Sequence, residues 1–139
     1  MLPAPGVLCV NRAIELKLVN LADPTEVRTF EKGRFEVYRV GASTIGRATY
    51  EPGWRWSTHV GANAGEAWCA VAHIGVVISG AAAVLMDDGR EVVMREGDLF
   101  SVPPGHDSWV VGDQPYVSLH IIGSEDYAAA PPRDTLRSQ

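Results

Sequence analysis

Through the middle of the chain, short apolar runs alternate with turn residues at a nearly constant spacing. STIGRATY (43–50) leads to Pro52-Gly53, HIGVVIS (73–79) stops at Gly80, and AAAVLM (81–86) stops at Asp87-Asp88-Gly89. REVVMR stops at Glu96-Gly97-Asp98, LFSV at Pro103-Pro104-Gly105, SWVV at Gly112-Asp113 and YVSLHII at Gly123. Runs rich in β-branched residues, each closed by Gly, Pro or Asp, read as strands joined by turns. Several at this spacing predict an all-β sandwich or barrel. Asp88-Gly89 is the strongest hairpin signal, because such a pair accepts the positive φ of a tight loop. No segment is long and periodic enough to predict a core helix.

Ahead of this region, AIELKLVN (13–20) sets Ile14, Leu16 and Leu18 against Glu15, Lys17 and Val19. That period of two predicts a half-buried strand. Asp23-Pro24 suits the cap and first position of a short helix, although the following VRTFEKG is too short to show a helical period. Phe35, Val37 and Val40 mark another extended run, ended by Gly41. Residues 1–12 read as an N-terminal arm and 13–123 as one β domain. Residues 124–139, small, polar and proline-containing, read as a disordered tail.

Charge and length narrow the partners. At 139 residues the chain is long enough for one domain with a substantial core. A formal net charge of −5, with no basic cluster, argues against nucleic acid and anionic membrane, since phosphate binding needs grouped Lys and Arg. The first ten residues, MLPAPGVLCV, lack a basic start and make a weak signal peptide. No apolar run approaches the ~20 residues of a membrane span. Cys9 and Cys69 show no disulfide spacing, so both are expected as free thiols of a cytoplasmic protein.

The chemistry-bearing side chains gather in the β region, which holds all four histidines (His59, His73, His106, His120) and Cys69. On a strand, Cys69, Val71 and His73 share one face, and a thiolate and an imidazole converge if that strand curves. His106 stands on a Pro-Pro-Gly corner within GDLFSVPPGHDSWVVG (97–112), stiff because proline fixes φ. Sulfur with imidazole favours zinc, copper or iron over magnesium or calcium. Each residue also has a plainer reading. Cys69 and His73 suit an ordinary core, and His106 with Asp107 suits a cap on the turn backbone. His59 suits a solvent-exposed loop. His120, beside Tyr116 and Ser118 and opposite Val117, Leu119 and Ile121, suits a structural role. Trp54, Trp56, Trp68 and Trp109 are either core or the walls of an apolar pocket, with Trp54 and Trp56 expected to point the same way. Glu66 and Asp107 are possible acid or base groups and read equally well as loop charges.

These motifs resemble those of the cupin superfamily. The first motif of that family runs glycine, five residues, His-x-His, three or four residues, glutamate, six residues, glycine. Here Gly53 is followed by five residues and His59, and His73 by six residues and Gly80. The second motif runs glycine, five residues, Pro-x-Gly, two residues, histidine, three residues, asparagine, and Gly97, Pro103 and Gly105 match its first half. The departures concern the ligand slots. The second histidine of the first motif falls on Gly61 or, counted back from His73, on Cys69, and the glutamate slot is His73. The histidine slot of the second motif is Ser108, with His106 two residues earlier, and the asparagine slot is Gly112. PGW-x-W, C-x3-H and PPGHD-x-W together are similar to a small single-domain bacterial cupin subgroup.

The resemblance spans residues 43–122 and implies a jelly-roll β-barrel with a small molecule bound inside it. It implies a divalent metal, zinc first and iron next, held by Cys69, His73 and His106, with His59 as a possible fourth ligand. Such a metal would polarise a substrate oxygen or lower the pKa of a bound water. Tyr50, Trp54, Trp56 and Trp109 are the expected pocket walls. A homodimer is implied, with residues 13–20 as the exchanged strand. The rival expectation is a binding module with an aromatic-lined pocket and no catalytic metal.

Overall fold

A computed structural model describes residues 14–129, which form two facing antiparallel sheets. The first half of the large sheet is a meander of β1 (Glu26–Phe30), β2 (Gly33–Val40) and β3 (Ser43–Tyr50). Then come β4 (His73–Ser79), β5 (Ala81–Met86), β6 (Glu91–Arg95), β7 (Leu99–Val102), β8 (His106–Val110) and β9 (Tyr116–Ile122). The large sheet has the order β1-β2-β3-β9-β4-β7, and the small one β6-β5-β8. The sheets face each other without closing into one continuous hydrogen-bonded barrel. β5 and β6 are joined through Asp87-Asp88-Gly89, with Gly89 at φ 95° and the Met86 N–H donating to Arg90 O at 2.8 Å.

The core between the sheets is built on Phe35, Val37, Ala48, Tyr50, Trp54, Val77 and Tyr116, all buried. Gly46 of β3 is small because Phe35 lies over it: a Cβ there would stand 2.2 Å from the Phe35 ring. Burial of a side chain like Phe35 contributes about 1.5–3 kcal/mol, and its truncation to Ala would cost about 3–5 kcal/mol once the cavity is counted.

Toward one end the sheet reverses the usual polarity. On β9, Tyr116, Ser118 and His120 are buried, whereas Ile121 and Ile122 are exposed. On β4, His73, Gly75 and Val77 face in while Ile74 and Ile78 face out. Leu99 on neighbouring β7 is 83% exposed. The outer surface of β9-β4-β7 is therefore apolar, and the inner surface carries the imidazoles.

Three local expectations meet a different structure. Residues 14–20 form no strand: no described strand pairs with them, and Ile14, Leu16 and Leu18 stay exposed. Alternation alone does not make a strand, because its backbone groups need a ladder partner. No helix follows Asp23-Pro24. Strand β1 begins at Glu26, since Val27, Thr29 and Phe30 favour extended backbone and β2 offers a partner over the full length of β1. Part of the expected tail is folded: Ser124 and Tyr127 are buried. Cys9 and residues 130–139 lie outside the described residues. Among the described residues, no helix is long and apolar enough to cross a membrane.

Between β3 and β4 the chain turns at Gly53 (φ 92°) and makes one π-helical turn, Ser57–Gly61, then one α-helical turn, Ala62–Ala64. Gly65 ends it in the left-handed region at φ 72°. Gly61, one slot for the second histidine of the first cupin motif, lies against Trp56, and a Cβ would fall 2.4 Å from that ring. No side chain fits there.

Candidate metal centre

Three chain segments bring Cys69, His73 and His106 together. Cys69 is an isolated bridge to the start of β8: its N–H donates to His106 O at 2.7 Å, and its carbonyl accepts from Gly105 N–H at 2.8 Å. Gly105 makes this approach possible. It sits at φ 92°, and a Cβ would meet the Asp87 carboxylate at 2.6 Å. His73 opens β4 opposite Val102 of β7. Residues 70–72 are irregular, so the curvature needed for Cys69 and His73 to converge comes from a break in the extended chain. Cys69 Sγ lies 3.7 Å from His73 Nε2. One ligand atom from each of Cys69, His73 and His106 lies within 4.8 Å of the others, and all three residues are buried.

The imidazole of His106 serves two of the sequence readings at once. Its Nδ1 is 2.7 Å from Pro103 O, so the turn carbonyl takes the Nδ1 hydrogen and leaves the Nε2 lone pair free. Burial holds the His106 pKa below its ordinary value against the opposing pull of Pro103 O and Asp107. Burial, with His120 and His106 nearby, takes His73 down to about 2, and burial with His106 takes His120 to about 4. Burial pushes the Cys69 thiol up to about 11. All three imidazoles are thus neutral near pH 7, and the thiol keeps its proton until a cation replaces it. Two borderline nitrogens and one sulfur fit a zinc-like or iron-like ion far better than a hard, oxygen-seeking one.

His59 stands apart from this cluster. Its Nδ1 accepts from the Arg55 N–H at 2.9 Å, and its Nε2 faces Glu31 at 4.0 Å. Asp107 is buried and accepts from Arg55 Nε, Ser57 Oγ and Ser57 N–H at 2.7–2.9 Å, tying the helical turns to β8. Beside the cluster is an interior cavity of about 40 Å³, walled among others by Tyr50, Trp54, Phe100, Ser108, Tyr116 and Tyr127. Tyr50 and Trp54 stack at 3.8 Å with ring planes 8° apart. Trp56 does not join them: the backbone is already helical at Trp56 (φ −57°, ψ −48°), strand alternation has ended, and its ring lines an outer groove. Trp109 also points elsewhere, its ring under the Arg55 guanidinium at 4.3 Å.

Two residues matter here that the sequence did not single out for the site. His120 lines the same cavity, its ring centroid 5.0 Å from that of His73, with Nε2 3.1 Å from Ser118 Oγ and Nδ1 unpartnered. The available signal was its strand parity with Tyr116 and Ser118. Tyr127 covers the cluster from the C-terminal side, 5.0 Å from the His73 ring. A large aromatic residue in an otherwise small and polar segment was the only sign of it.

No family model matches the chain, and no curated protein sequence does. Solved structures do. A cupin-like protein from Thermotoga maritima aligns over 81% of this chain and 86% of its own, with 14% identity and a TM-score of 0.53. A protein of unknown function from Rhizobium leguminosarum aligns over 78% and 96%, with 16% identity and a TM-score of 0.55. Oxalate decarboxylase from Bacillus subtilis, described with Mn(II) centres, aligns over 84% of this chain at 23% identity and a TM-score of 0.50, and this chain spans 33% of it. The shared fold is the cupin fold.

Proposed function

We propose that this cupin-fold chain binds one divalent transition metal, zinc first and iron next, through Cys69, His73 and His106. One observation carries the proposal: three buried donor atoms from separate segments converge to within 4.8 Å of one another. The backbone supports it, because Pro103 O holds the competing hydrogen of His106. Such a metal, when bound, supplies Lewis acidity or, as iron, oxygen chemistry. The chain's own residues do the rest. Tyr50, Trp54 and Tyr116 supply aromatic walls to the cavity, and the Ser108 and Tyr50 hydroxyls are placed to orient a small polar molecule within it.

Elemental analysis of the purified full chain tests this. About one metal ion per chain is expected, reduced at least tenfold in Cys69→Ser, His73→Ala and His106→Ala and unchanged in His59→Ala. Unchanged metal in both Cys69→Ser and His73→Ala would sink the assignment. A second reading is favoured by the aromatic lining of the cavity: a module that binds an apolar small molecule without a catalytic metal. Metal-free protein that retains such a ligand would establish it.

The proposal includes a homodimer, supported by the apolar outer surface of β9-β4-β7 and by the exposed Ile14, Leu16 and Leu18. It also includes a reducing cytoplasmic setting, in which Cys69 stays available as a thiol ligand.

A further inference from the structure

Two voids meet at one side chain. The interior cavity beside His73 and His106 measures about 40 Å³, room for little more than water. The outer groove, between β1 and the helical turns and reaching Cys69, measures about 710 Å³, within the size range of ordinary ligand sites. Among the described residues, Tyr127 alone lines both. Its ring, 3% exposed, stands 4.8 Å from Phe35 and 5.0 Å from His73, and its hydroxyl meets that of Tyr50 at 2.8 Å.

The segment that carries this ring is held unlike the sheets. Residues 123–129 add no strand. Gly123, at φ 98° and with no room for a Cβ against Ala72 O, turns the chain back across the end of the sandwich. A single guanidinium then latches it: Arg28 donates to the carbonyls of Ser124 (3.1 Å), Glu125 (3.0 Å) and Tyr127 (2.6 Å). Ser124 Oγ adds a buried bond to His120 O at 3.1 Å at the start of the segment, whereas the ties from Glu125 to Arg39 and Thr44 are exposed. Ala128 occupies the left-handed region at φ 54° without being glycine, a strain that opening would relieve.

We propose that Tyr127 is a gate. When the Arg28 latch releases, the ring leaves its place and the groove joins the cavity at the Cys/His cluster. The phenol also shows what the site takes: a planar ring of phenol size carrying an oxygen that pairs with the Tyr50 hydroxyl, entering by exchange for Tyr127. This rests on the reading of the cluster as the functional centre, yet it requires no metal to be bound.

The test is the rate at which a thiol placed on the cavity side of Tyr127, by Val84→Cys in the full-length Cys9→Ser, Cys69→Ser chain stripped of metal with a chelator, reacts with dithiobis(nitrobenzoate). A gate gives a rate that is flat at low urea, because local opening exposes little new surface. Arg28→Ala should raise that flat rate about tenfold. A rate that climbs from zero urea with the slope of global unfolding, in parent and variant alike, overturns the gate. In both Tyr127→Ala and Arg28→Ala, p-cresol should slow the reaction saturably at about a fivefold lower concentration than toluene, the difference being one hydrogen bond to Tyr50. Equal potency, or no effect of either compound, overturns the ring-with-oxygen class. Every arm is metal-free, so the gate and the metal assignment fail independently.

Discussion

Replacing Asp107 should cost far more stability than replacing its ion-pair partner Arg55. The carboxylate is buried and accepts from the Ser57 N–H at 2.9 Å, Ser57 Oγ at 2.7 Å and the Ser108 N–H at 2.9 Å, besides Arg55 Nε at 2.8 Å. Hydrogen bonds to a charged acceptor are worth about 1.5–3 kcal/mol each, and Asp107→Ala strands the Ser57 donors at the start of the helical turns. A loss of about 3–4 kcal/mol follows. The Arg55 side chain is 42% exposed. Solvent screening holds its ion pair to about 1 kcal/mol or less, and its stacking on Trp109 adds a similar amount. With a melting entropy of about 2.1 cal/mol/K per residue, a chain of this length loses roughly 3 °C per kcal/mol. Thermal melts should therefore fall by about 10 °C in Asp107→Ala and by about 3–6 °C in Arg55→Ala. Both variants lose the same ion pair, so high salt should shrink the Arg55 effect by a large fraction and the Asp107 effect by a small one. Equal losses in the two variants would refute the reasoning and transfer the stabilisation from the backbone and hydroxyl bonds to the exposed pair.

Acid should unfold the metal-free protein early. His73 and His120 have folded pKa values of about 2 and about 4 against 6.5 when free. The unfolded chain thus binds more protons below pH 6.5, and stability is full above that pH and drops as pH falls toward 4, by a few kcal/mol at pH 4.5. Urea melts from pH 8 to pH 4.5 read this directly, and a flat midpoint would contradict it. Gly61→His should not create a fourth ligand: its Cβ clashes with Trp56, and a melting temperature lowered by several degrees with unimproved zinc affinity is expected. If the proposed homodimer forms through the apolar outer surface, Leu99→Asp should shift the mass measured by light scattering from dimer to monomer while leaving the far-ultraviolet circular dichroism unchanged.

Strands and turns were legible in the sequence because Gly, Pro and Asp punctuate it wherever the chain reverses. The face each strand buries was less so. A rule that sends apolar residues inward would bury Val117, Leu119 and Ile121 of β9, yet the fold turns Tyr116, Ser118 and His120 inward. Cys69, His73 and His106 were legible as donors, because soft and borderline atoms clustered in the motif region. Their convergence depends on the backbone bonds between Cys69 and residues 105–106, which no spacing reveals. The Trp54–Trp56 pair misled for a local reason: two residues of strand parity share a face only while the strand lasts. Tyr127 was hidden by composition, since its neighbours are small and its ring is buried against Phe35 and His73, far from it in sequence.

The place of β9 in the large sheet has a consequence for biosynthesis. Among the described strands it is the last made, yet it lies between β3 and β4 and pairs with both. Until residues 116–122 emerge, two unpaired sheet edges face the solvent at the same time, the arrangement most prone to edge-to-edge aggregation. Ribosome-bound or truncated chains ending before Tyr116 should therefore need chaperone protection. Strand β9 acts as a keystone, joining the β1-β2-β3 meander to the β4-β7 pair in one sheet.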